Sequence, residues 1–143
     1  MRASLFLAAE VPEEWLARAT DDLRLAEILI ERLEAAVPED ERALAAGALF
    51  FAQQAAEKAM KALLVAVGQV PPRTHNVAAL AEACAAHAPE LKPVLAATIK
   101  LAGYATRLRY PGAELDVTNA EVAERVEIAR TCLTTIRDRL SQT

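Results

Sequence analysis

The stretch from Glu39 to Val67 is long, rich in alanine and ended by Gly68, and it constrains the fold more than any other part of the chain. Alanine is the strongest helix former, and its small side chain lets neighbouring helices approach closely. A helix of this length must bury much of its surface against other elements, because isolated helices are marginal in water. Nothing in the chain shows the period-two alternation of a strand, an internal repeat or a low-complexity tract.

The remaining segments supply the other helices. A first helix is predicted from about Pro12 to Ala36, with Pro12 suited to a first helical position and Glu13 and Glu14 to the positive end of the dipole. Its apolar stripe is Trp15, Ala19, Leu23, Ala26, Ile30 and Leu33, and Val37-Pro38 stops it. After the second helix, the paired prolines of Gln69-Val70-Pro71-Pro72-Arg73 make a loop. A short third helix is expected from about Asn76 to Ala86, capped by Thr74 or Asn76. A fourth is expected from about Glu90 to Arg107 or Arg109, where Pro111 fixes its end. The segment from Pro111 to Asp116 is a second loop. A capping box at Thr118-Asn119-Ala120-Glu121 opens the fifth helix, whose stripe is Val122, Val126, Ala129, Leu133, Ile136 and Leu140. The fold class is all-α, an antiparallel bundle of about five helices.

The length of 143 residues suits one domain. It is expected over residues 11–143, with 1–10 as an N-terminal extension. The apolar run from Leu5 to Ala9 is too short for a signal peptide, and no segment approaches the ~20 apolar residues of a membrane span. A cytoplasmic location without a membrane is expected. Cys84 and Cys132 are too few for a disulfide framework and read most simply as reduced, buried thiols. The net charge of −4 does not support broad nucleic-acid binding, so any contact with RNA needs a local basic patch.

Two groups of residues do not look like scaffold. At 100° per residue, Phe50, Gln54, Glu57, Lys58 and Lys61 fall within a stripe about 100° wide on the second helix. A polar stripe bearing an aromatic is a plausible partner or ligand surface. From composition alone the stripe reads first as a solvated face, with Glu57 and Lys61 forming an i,i+4 pair. The second group is Arg107-Leu108-Arg109-Tyr110-Pro111, with Arg73 and His75 on the earlier loop. Guanidinium groups grip phosphates bidentately, and Tyr110 can stack or hydrogen-bond. Against this, arginines also complement a helix C-terminus, and Pro111 can simply end the helix. His75 can serve as a general acid or base, or can help cap the third helix. Cys84 and His87 stand at i,i+3, but two ligands do not make a zinc site. There is no Walker loop, dinucleotide fingerprint or HExxH motif, so neither metal nor cofactor is expected.

The order of these pieces resembles the HEPN family (higher eukaryotes and prokaryotes nucleotide-binding). Trp15 to Leu23 looks like that family's opening helix. Phe51 to Leu64 is similar to its pattern of aromatic, glutamine, Glu-Lys and a further lysine. Pro72 to Leu80 is like its Thr-His before a short helix, and Arg107 to Pro111 is like its Arg-Tyr-Pro signature. The resemblance runs from about residue 11 to residue 139. It implies a helical bundle that pairs into a homodimer and works beside a minimal nucleotidyltransferase in a toxin–antitoxin-like system. It implies contact with nucleotide or RNA phosphates through Gln54, Glu57, Lys58, Lys61, Arg109, Tyr110 and Pro111, with His75 and Arg107 as the catalytic candidates. Ribonuclease branches of the family use an arginine followed four to six residues later by histidine. Here His75 and His87 are the only histidines, and none follows Arg107 or Arg109, so that motif is absent. The alternative is a non-catalytic dimeric interaction or regulatory bundle. The nucleotide reading requires the cations of the second helix and of Arg107 to share a pocket.

Overall fold

The computed structural model describes residues 11–108, 110–111 and 115–142. All regular structure among them is helical: α1 (Pro12–Glu34), α2 (Pro38–Ala66), α3 (Val77–His87), α4 (Lys92–Ala97), α5 (Tyr104–Arg107) and α6 (Asn119–Ser141), with 3-10 turns at Pro89–Leu91 and Thr98–Leu101. The chain is all-α, as its periodicity predicts. None of the described helices is long and apolar enough to cross a membrane.

α2 is the central element and touches α1, α3, α5 and α6. Ala48, Ala52, Ala55, Ala56, Ala59 and Ala62 are all fully buried along it. Gly47 shows how close α1 comes, because a Cβ added there would meet Leu29 Cδ1 at 3.0 Å. Small side chains on α2 thus let larger ones from its neighbours fill the core, including Leu23 and Leu33 of α1 and Leu133 and Ile136 of α6. Burying each such leucine or isoleucine is worth about 1.5–3 kcal/mol.

The helix ends follow local chemistry. α2 closes on Gly68 at φ +83, with Gln69 N donating to Leu64 O at 2.9 Å and Gly68 N to Val65 O at 3.0 Å. These two bonds form a Schellman motif, which needs a left-handed residue at the position of Gly68. α3 is capped by Asn76, whose Oδ1 accepts from Ala79 N at 3.0 Å. At α6 the expected capping box is complete, with Glu121 N donating to Thr118 Oγ1 and Thr118 N to Glu121 Oε1.

One expected element is corrected. The continuous helix from Glu90 to Arg107 or Arg109 is broken into the two 3-10 turns, α4 and α5. Ala102 is extended (φ −64, ψ 137) and Gly103 is left-handed at φ +90. A left-handed glycine ends a helix rather than continuing it. Leu91, Leu95, Leu101 and Tyr104 are nevertheless all buried, so their spacing resembles one helical stripe while the backbone turns between them.

Candidate functional site

Two polar residues of α2 are enclosed rather than solvated. Glu57 is 2% exposed and Gln53 is 1% exposed, deep in a helix otherwise buried through alanine and leucine. A carboxylate in such surroundings must find donors. Gln53 Nε2 donates to Glu57 Oε1 at 3.0 Å and also points to the carbonyl of His75 at 3.4 Å. Glu57 Oε2 faces His75 Nδ1 at 3.0 Å. One carboxylate oxygen is therefore held by the helix and the other by the loop.

The loop brings His75 there by its own hydrogen bonds. Thr74 N donates to Pro72 O at 3.0 Å, and Asn76 N donates to Thr74 Oγ1 at 3.0 Å. Asn76 then caps α3, so the backbone on both sides of His75 is fixed. The His75 side chain remains 62% exposed while its partner carboxylate is enclosed. The cap belongs to Asn76, which leaves the imidazole free for a different role.

The cations of α2 meet α1. Lys58 Nζ pairs with Asp22 Oδ2, a carboxylate of α1 that is only 12% exposed. Lys61 Nζ lies 5.5 Å from the centroid of the Trp15 ring, within cation–π range. Burial lowers the Lys61 pKa below the usual lysine value, opposed by Glu57 and reinforced by Lys58. The expected Glu57–Lys61 ion pair gives way to the bond with His75. Gln54 is half-buried, and Phe50 is half-buried with its ring edge-on to Phe51 at 5.2 Å.

At the second group, α5 packs against α2, the helix that carries Lys58. The Arg107 guanidinium lies 4.8 Å from the centroid of the Tyr104 ring, whose residue is buried. Tyr110 is 70% exposed and Pro111 is exposed, whereas Arg109 lies outside the described residues. Lys58, Lys61 and Arg107 thus each have a partner: Asp22, Trp15 and Tyr104 respectively.

Away from this region, Cys84 and Cys132 are free and buried. Burial pushes both thiols up to about 12, with Cys84 adding to the effect on Cys132. Such thiols are protonated and poor nucleophiles at neutral pH. Cys84 Sγ donates to Met60 O at 3.3 Å.

Gln53, Asp22, Trp15 and Tyr104 are the partners that sequence reasoning did not assign to the site. A signal existed for two of them. Gln53 stands one turn before Glu57, and Asp22 adjoins Leu23 on the buried stripe of α1. A polar residue beside a buried stripe asks for a partner.

The arrangement can bind anions through lysine and arginine and can exchange a proton at an imidazole whose orientation is set by an enclosed carboxylate. No curated protein and no solved structure matches the chain. One family model does: that of the HEPN domain, over residues 12–139.

Proposed function

The chain belongs to the HEPN domain family, and on that premise we propose that it is the HEPN-type module of a toxin–antitoxin-like pair, working with a minimal nucleotidyltransferase and contacting nucleotide or RNA phosphates. The observation that carries this reading is the exposed imidazole of His75 hydrogen-bonded to the enclosed carboxylate of Glu57. An enclosed carboxylate is weak evidence for stability, since an apolar side chain of similar volume serves a core as well. Oriented imidazoles instead belong to sites that handle protons or anions.

In this reading Lys58, Lys61, Arg107 and Arg109 supply positive charge to phosphates. Gln54, Tyr110 and Pro111 line the contact. Glu57 acts through His75 rather than on the anion, because its own charge repels a phosphate. His75 is the group able to exchange a proton, and Arg107 supplies stabilising positive charge. The chain works in the cytoplasm as a homodimer, without metal or cofactor.

A second reading has its own support. Lys58, Lys61 and Arg107 are already engaged by Asp22, Trp15 and Tyr104, as residues of a non-catalytic interaction bundle are. Labelled RNA separates the two. The chain is incubated with it alone and with a minimal nucleotidyltransferase. Binding or cleavage that disappears in His75→Ala combined with Arg107→Ala supports the first reading. Cleavage that survives the double substitution removes the proposed roles. Co-purification of the pair with no RNA contact at low salt leaves the interaction bundle.

A further inference from the structure

We infer that Glu57 is the positioning residue for His75, holding the imidazole as the tautomer with hydrogen on Nδ1 and offering Nε2 to the ligand. The use of Nε2, as acceptor from a ribose hydroxyl or, once it has taken up a proton, as donor to a phosphate, rests on the phosphate-contact reading, but the tautomer does not.

The inference follows from a donor count. An ionised carboxylate has no hydrogen to give. Glu57 Oε1 accepts from Gln53 Nε2, and Oε2 faces His75 Nδ1, so the hydrogen of that last bond sits on Nδ1. The bond is charge-assisted and therefore stronger than one between neutral groups. Neutral imidazole carries one ring hydrogen, so fixing it on Nδ1 leaves Nε2 as the acceptor. Among the described residues none hydrogen-bonds Nε2, and the side chain is 62% exposed.

Both partners of the bond are held from behind. The second hydrogen of the Gln53 amide is directed to the carbonyl of His75, tying the loop to the helix that bears the carboxylate. Thr74 and Asn76 fix the backbone on either side. A ring held in this way presents Nε2 in one direction before any ligand arrives, which lowers the ordering cost of contact. It can then take up or release a proton at Nε2 without losing the Nδ1 bond.

Nitrogen-15 NMR of the histidine rings in the full chain tests the inference, recorded above the imidazole titration. His87, the other histidine, is exposed and serves as the internal reference. His87→Gln assigns the signals. For His75 the Nδ1–H form is expected in roughly tenfold excess, the discrimination supplied by one charge-assisted hydrogen bond. Glu57→Leu is expected to abolish that excess and return His75 to the pattern of His87. Glu57→Gln, which keeps the shape of the side chain, is expected to reduce it if the leucine variant fails to fold. A short RNA is then added to the wild-type chain and should move the Nε2 signal while Nδ1 keeps its hydrogen.

A wild-type His75 with the tautomer pattern of His87 overturns the inference, as does RNA that takes the hydrogen from Nδ1. An Nδ1–H excess with no response to RNA leaves the positioning intact and counts against the phosphate reading alone.

Discussion

α2 meets α6 through alanine and leucine, and it meets the loop before α3 through a carboxylate, an amide and an imidazole. The first kind of contact is tolerant. Cores accept many apolar side chains if volume and pattern are kept. The second kind is not, because each donor and acceptor needs its partner at a fixed distance. The apolar contacts account for the fold. The polar ones around Glu57 converge on one exposed histidine, the group on which the proposed site rests.

Substitutions that load the two kinds of contact differently sharpen the comparison. The largest effect is expected from Leu63→Ala, at a position 1% exposed. The lost burial and the cavity together destabilise by about 2–5 kcal/mol, read by urea denaturation. Gln53→Leu should destabilise by less, about 1–3 kcal/mol, because it leaves a buried Glu57 oxygen without its donor. Replacing Glu57 by leucine as well removes the stranded charge and should recover much of that loss. A double variant less stable than Gln53→Leu would break the distinction between the two faces.

Smaller effects are expected at the bundle's exposed end. Thr118→Ala removes the cap of α6 and should lower stability by about 1 kcal/mol in the same assay. The Glu121 carboxyl has a pKa below the usual value, first through the Thr118 backbone N–H and then through its side chain. A depressed carboxyl contributes stability above its ordinary value and loses it as pH falls through the depressed one. Glu121→Gln keeps a side-chain acceptor for the cap but no longer titrates. Its acid denaturation curve should therefore be slightly shallower than that of the wild type below the ordinary glutamate range.

The helices with regular stripes and clear end signals were legible in the sequence. α6 begins at its capping box, and its stripe from Val122 to Ile136 is buried as spaced. α2 ends at Gly68 because the left-handed turn there requires a glycine. The fourth helix is broken where Pro111 gives no warning, at the extended Ala102 and left-handed Gly103, while Leu91, Leu95, Leu101 and Tyr104 stay buried on either side. The site was legible in its residue types and not in its pairings. Periodicity placed Glu57, Lys58 and Lys61 on one stripe, but a helical projection does not show what stands opposite each of them. His75 reaches Glu57 from a loop 18 residues away, and Asp22 reaches Lys58 across 36 residues. Contacts of that separation are set by tertiary packing, beyond any local pattern.

The most direct test of phosphate contact is the salt dependence of RNA binding, followed by fluorescence anisotropy with a short labelled single strand. Wild-type affinity should fall as salt rises, and Arg107→Ala should weaken binding and reduce the slope by about one counterion. Binding that ignores salt, or a slope unchanged in Arg107→Ala, would contradict a role for this cation at phosphate.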